Sequence, residues 1–73
     1  MATSLSKLKE LDEDGWKTLR AIASLAKMNY PITVELRADA GRLQLLGLLE
    51  DIRGEPRVPD DVKFAAFALG KPL

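Results

Sequence analysis

The sequence predicts a mainly α-helical, small single domain built from three principal helices. Two observations support this prediction. Apolar residues recur at spacings of three and four over most of the chain, which is the pattern of helices that bury one face. Proline and glycine interrupt that pattern at a few places, where they end helices. The principal helices are expected over residues of about 12–28, 40–53 and 60–69, with a short extended or helical segment near 32–37.

The helical domain is expected to span residues 10–70. A chain of 73 residues buries only about 60 per cent of its unfolded surface, so its stability should be modest. Residues 1–9 are mostly polar and are expected to form a flexible N-terminal tail, with a docking arm that uses Lys7 and Lys9 as the alternative. Residues 71–73 are expected to form a C-terminal tail.

The first helix is predicted to begin at Asp12 and to end near Met28. Carboxylates at its start can accept hydrogen bonds from the free N–H groups of the first turn. The residues NYP at 29–31 then end it, because the residue before a proline is disfavoured in the helical conformation. Its buried face is predicted to comprise Trp16, Leu19, Ile22, Ala23 and Ala26.

Residues 32–37 permit two interpretations. Ile32, Val34 and Leu36 alternate with polar residues, as in a half-buried strand. A short helix that begins at Thr33 explains the same residues. Both interpretations stay open on the sequence alone.

The second principal helix is predicted from the leucine-dense stretch at about 40–53. Its apolar positions cover more than half of the helix circumference, so it is either central to the core or carries a second apolar face for a partner. Gly47, inside this stretch, suggests close approach of another backbone. The apolar residues are Leu43, Leu45, Leu46, Leu48, Leu49 and Ile52.

The last helix is predicted after a non-helical bend over Gly54–Pro59, since Pro56 and Pro59 cannot both lie inside a helix. It should begin at Asp60 and end before Gly70. Its buried set is predicted to be Val62, Ala65, Ala66 and Leu69, with Phe64 and Phe67 to either side.

Composition limits the function. The chain has no cysteine and no histidine, so the usual metal sites, thiol nucleophiles and near-neutral bases are missing. We therefore expect no enzyme and no cofactor. Eleven basic and eleven acidic residues cancel, which removes the broad positive field of a non-specific DNA binder. The apolar stretches are too short to cross a membrane, and the N-terminus lacks a signal-like apolar run, so a cytoplasmic location is expected.

Six basic residues are predicted to bind a partner. Lys17, Arg20 and Lys27 share one face of the first helix with Ser24, away from its apolar face. An ordinary solvated face is the alternative interpretation. The other three alternate with acidic residues in the middle of the chain, as on a surface that matches another protein electrostatically. They are Arg42, Arg53 and Arg57.

Two resemblances extend these predictions. LDEDGWKTLRAI, residues 11–22, resembles the opening helix of winged helix-turn-helix transcription regulators, and PITVELRADAG, residues 31–41, resembles their second helix. This resemblance implies a DNA-binding transcription regulator. The next segment, GRLQLLGLLEDI, is mainly leucine where a recognition helix presents polar groups to base edges. A helix-turn-helix domain adapted to protein binding fits this segment better.

The chain also resembles, in size and character, the small bacteriophage proteins that bind host RNA polymerase. That resemblance implies a non-enzymatic regulatory protein that binds a larger protein partner, such as RNA polymerase or another transcription component, and modulates its activity. The sequence therefore predicts a protein partner, with nucleic acid as the alternative and no membrane partner.

Overall fold

The computed structural model describes residues 3–73. Within them the chain forms four helices and one antiparallel hairpin, so the domain is mainly helical with three long helices, as the sequence predicts. None of the helices in this range is both long and apolar enough to cross a membrane. The elements in chain order are α1 (Ser4–Lys9), α2 (Glu13–Lys27), α3 (Val34–Leu45), β1 (Glu50–Ile52), β2 (Glu55–Arg57) and α4 (Asp60–Ala68).

Helix α1 replaces most of the expected flexible tail. Thr3 caps it, because its hydroxyl oxygen accepts a hydrogen bond from the amide of Ser6 at 3.3 Å. Leu8 is only 1% exposed and belongs to the core. The helix packs against α4, where the Ser4 hydroxyl donates to Asp61 Oδ2 at 2.7 Å. The prediction of a tail over residues 1–9 is therefore wrong for Ser4–Lys9, while residues 1 and 2 lie outside the described residues.

Helix α2 confirms the first predicted helix. Asp12 is its N-cap and accepts a hydrogen bond from the amide of Gly15 at 2.8 Å. Trp16 is 4% exposed, in line with its predicted burial. The helix ends where Asn29 adopts a left-handed backbone conformation with φ 58°, and the next amide, of Tyr30, bonds to the carbonyl of Leu25 at 3.0 Å.

Helix α3 corrects the predicted position of the second principal helix, about 40–53. It begins at Val34, where the hydroxyl oxygen of Thr33 caps it by accepting a hydrogen bond from the Leu36 amide at 3.1 Å. Of the two interpretations of residues 32–37, the short helix that begins at Thr33 is therefore confirmed and the half-buried strand is wrong. It ends at Leu45, since Gly47 has a φ of +78° that breaks the helical path. Gly47 thus ends a helix rather than lying inside one.

Strand β1 of the hairpin occupies residues for which a helix was predicted, whereas β2 lies in the predicted non-helical bend. Strand β1 pairs with β2, and Asp51 lies opposite Pro56. The two residues of the turn, Arg53 and Gly54, have φ values of 54° and 82°, as the turns of two-residue hairpins require. The segment Gly54–Pro59 is non-helical, as predicted, but residues 50–52 form a strand because the helix has already ended at Leu45.

The core lies between the four described helices and the segment after α3. Each helix contributes a fully buried residue, and the loop after α3 contributes another. Helix α4 confirms the last predicted helix. Leu73 packs partly against this core, although residues 71–73 were expected to form a tail. The largest fully buried side chains are Leu8, Leu19, Ile22, Leu43, Leu48 and Val62.

Candidate protein-binding surfaces

The first candidate surface is the exposed side of α2. Lys17, Arg20 and Lys27, which we call the basic row, are all exposed, and Ser24 lies among them. The buried side of α2 packs into the core through Leu19, Ile22 and their neighbours. The structure therefore places these three predicted residues on one face, as their spacing implies. Their role in binding stays a prediction.

Arg42 forms an ion pair with Asp12 within the fold. Its guanidinium makes a two-point contact with Asp12, with Nη2 to Oδ1 at 3.0 Å and Nη1 to Oδ2 at 3.3 Å. Asp12 also caps α2, so the pair joins α3 to the start of α2. The hydrogen bond from Arg42, with that from the amide of Gly15, lowers the pKa of Asp12 below its ordinary value. Arg42 is nevertheless 56% exposed in its side chain and can make further contacts.

Arg53 and Arg57 lie on the hairpin, away from the contact between Arg42 and Asp12. Arg53 is exposed in the turn. Arg57 is half-buried and donates to the carbonyl of Pro56 at 3.1 Å, with Glu55 Oε2 3.8 Å away. Glu55 also binds Arg37 through Oε1 at 2.9 Å, and this hydrogen bond lowers the pKa of Glu55. The three predicted arginines of the mixed patch are thus divided between two places in the fold.

An open groove of about 630 Å³ runs between α2 and α3. Its charged residues have opposite signs, so the groove suits hydrogen bonds and ion pairs rather than an apolar ligand. Among residues 3–73, no three acidic, histidine or cysteine residues cluster as metal ligands. The groove is lined by Asp14, Lys17, Thr18, Ala21, Leu36, Ala38, Asp39 and Arg42.

A second candidate surface lies on α4, and the sequence analysis assigned it no role. Phe64 and Phe67, which we call the phenylalanine pair, are 76% and 70% exposed. They lie one helical turn apart, on the side of α4 opposite the buried Val62 and Ala66. The spacing of the buried residues already left both phenylalanines outside the core face. That signal was present in the sequence.

One contact joins the segment after α4 to α2. Lys71, just beyond the helix, places its Nζ 4.8 Å from the centre of the Trp16 ring, within the range of a cation–π contact. Arg20 of the basic row lies one turn after Trp16 on α2. The segment just after α4 therefore contacts α2 at Trp16.

A third surface is the side of α3 that points away from the core. Val34 and Leu45 are 81% and 92% exposed, the highest values among the large hydrophobic residues at positions 3–73. Ala38 and Gly41 lie between them, and all four positions fall within about 60° of arc at 100° per residue. We call these four residues the outer face of α3. It contains no charged or hydrogen-bonding side chain.

No family model, curated protein or solved structure matches this chain.

Proposed function

We propose that this protein is a non-enzymatic regulatory protein that binds a larger protein partner through the phenylalanine pair. One observation carries the proposal: Phe64 and Phe67 are both largely exposed, one turn apart on a short helix. Aromatic side chains are enriched at interfaces and supply much of the binding energy when they fill a pocket. A helix that presents such anchors at three-residue spacing fits an apolar groove on another protein.

The basic row supplies the polar part of the same contact. Lys71, three residues after α4, contacts Trp16 on α2, and Arg20 of the row follows Trp16 by one helical turn. Exposed lysine and arginine next to an apolar anchor suit a groove with an acidic rim, where matched charges speed association and select the partner. The proposed partner surface is therefore an apolar groove bordered by carboxylates.

The resemblance in size and character supports RNA polymerase or another transcription component in the cytoplasm as the partner. A stoichiometric protein of this kind acts by occupying or reshaping a surface of the larger protein. Its effect then follows from where it binds, and it needs no catalytic group or cofactor.

DNA binding is the alternative function, and the order of elements favours it. Helix α2, a turn, α3 and a hairpin follow one another as in the winged helix-turn-helix regulators that residues 11–41 resemble. The segment in which the resemblance expects a recognition helix, residues 41–52, instead contains the end of α3, a turn and β1. Helix α3 itself would then have to read base edges through polar side chains. The outer face of α3 is apolar instead, and the chain has no net charge. These two properties favour a protein partner.

Affinity capture tests the proposal. The tagged protein serves as bait in a lysate of its source cell, and captured proteins are quantified by mass spectrometry. Replacing both phenylalanines, as Phe64→Ser with Phe67→Ser, is expected to reduce capture of the specific partner at least about tenfold, because two interface anchors are lost. The control replaces two other exposed apolar residues that lie outside α4, as Tyr30→Ser with Ile52→Ser, and should capture the partner like the wild type.

Two further measurements separate the alternatives. Arg20→Glu is expected to weaken binding of the purified partner about fivefold or more by charge repulsion, whereas Lys9→Glu, on exposed α1 surface, should not. Capture that persists at the wild-type level without the phenylalanine pair would refute the proposed surface. Micromolar affinity of the wild type for random duplex DNA at physiological salt would overturn the protein-binding function in favour of DNA binding.

A further inference from the structure

The outer face of α3 is not used by the proposed function. Its two large residues, Val34 and Leu45, are almost fully exposed at opposite ends of the helix. Exposed apolar side chains scattered singly are common on protein surfaces, whereas this face is a continuous apolar line along one helix. The face therefore has the residue pattern of a helix that packs against another helix.

Gly41 gives a second, independent indication. It lies inside α3, where glycine is less favourable than alanine. A methyl group at this position would meet open space among residues 3–73, so packing within the chain does not require a glycine. Because glycine has no side chain, the backbone of a second helix can approach α3 closely at this position.

The order of residues on this face is symmetric. The spacings from Val34 to Ala38, to Gly41 and to Leu45 are four, three and four, with the large residues at both ends. We propose that this face binds the same face of α3 in a second copy of this chain, with the two helices antiparallel about a two-fold axis. Val34 then lies level with Leu45 of the second copy, and the small residues meet at the centre. Helices that cross at small residues diverge toward their ends, where the larger side chains fit.

The charges beside this face favour a second copy over another partner. Glu35 and Arg42 lie two turns apart on the same flank of α3. The two-fold axis reverses the helix, so each Glu35 comes within about half a turn of Arg42 from the other copy. Arg42 already binds Asp12, but a guanidinium has five N–H donors and can bind both carboxylates. The zero formal net charge removes long-range repulsion between copies.

The proposed contact is small. A helix of 12 residues is about 18 Å long, and one such pair buries less than the roughly 1,200 Å² of a stable interface. The dimer is therefore reversible and depends on protein concentration. The proposal does not rest on the phenylalanine pair or on the identity of the larger partner.

Sedimentation velocity measures the self-association. The wild type is expected to shift from monomer toward dimer between about 5 and 500 µM, the range in which small interfaces associate. Val34→Glu and Leu45→Lys, each at a highly exposed position, should each stay monomeric over this range. Met28→Lys, which changes another exposed apolar residue, should associate like the wild type. Circular dichroism of each variant verifies that it is folded.

A mixture of the two variants tests the antiparallel arrangement. Glu at 34 then lies level with Lys at 45 of the other copy, so mixing equal amounts should restore association. A parallel pair would place each new charge against an unsubstituted residue, and the mixture would stay monomeric. That result would overturn the proposal, as would a wild type that is monomeric at every concentration or variants that associate unchanged. A monomeric wild type whose partner capture depends on Leu45 would instead assign this face to the larger partner.

Discussion

Replacing Trp16 with alanine should remove a large part of the stability of this domain. The side chain is 4% exposed, and burial of a tryptophan removes about 150–250 Å² from water. At about 25 cal/mol per Å², this area corresponds to about 4–6 kcal/mol, an upper value because unfolded chains already bury part of it. Measured losses for such changes are about 3–5 kcal/mol. A domain of this length has about 4–11 kcal/mol in total.

Urea denaturation followed by far-UV circular dichroism provides the measurement, because the variant loses its fluorescent tryptophan. The matched control is Phe67→Ala, which removes an exposed aromatic side chain and should change the free energy of unfolding by no more than about 0.5 kcal/mol. Should Trp16→Ala unfold the domain outright, the milder Trp16→Phe gives a measurable, smaller loss. A midpoint for Trp16→Ala that matches the Phe67→Ala midpoint would refute the burial argument and make Trp16 a candidate binding residue.

Two other predictions concern the stability of two glycine variants and the dependence of stability on pH. Gly47→Ala should lower stability by about 1–2 kcal/mol, because its φ of +78° is unfavourable for alanine, whereas Gly41→Ala should raise it by up to about 1 kcal/mol. Thermal denaturation at low micromolar protein concentration measures the stability of both variants. If both substitutions lower the stability, or both raise it, the backbone conformations described for Gly47 and Gly41 are contradicted. Arg42 lowers the pKa of Asp12 in the folded state, so the ionised Asp12 stabilises the fold. This stabilisation is complete above the ordinary carboxyl pKa of about 4. It is lost as the pH falls through the lower pKa that Asp12 has in the folded protein. Asp12→Asn should reduce this acid sensitivity in urea titrations between about pH 2 and 6, with Glu13→Gln as the control, and an unchanged profile would argue against the pair.

Helices α2 and α4 were predictable because local signals agreed. Asp12 caps α2 where the apolar spacing begins, and Gly70 follows α4 where it ends. The middle of the chain was predicted wrongly because the leucines on both sides of Gly47 look continuous in sequence. Leu48 is fully buried without being helical, and local periodicity does not distinguish a buried turn from a buried helix.

Helix α1 was missed for a different reason. Its stability comes from the burial of Leu8 against distant elements, whereas its local sequence is polar and short. Of the candidate binding surfaces, the row on α2 followed directly from helical spacing. The pairing of Arg42 with Asp12 did not, since the two residues are 30 positions apart and meet only in the folded chain. The exposure of Phe64 and Phe67 was implied by the spacing of α4 but was not interpreted.

The contact between α1 and α4 joins the beginning and the end of the folded region. Ser4 and Asp61, which are hydrogen-bonded, are separated by 57 positions. Such a contact forms only after α4 has been synthesised, so on the ribosome the core closes late in synthesis and not helix by helix.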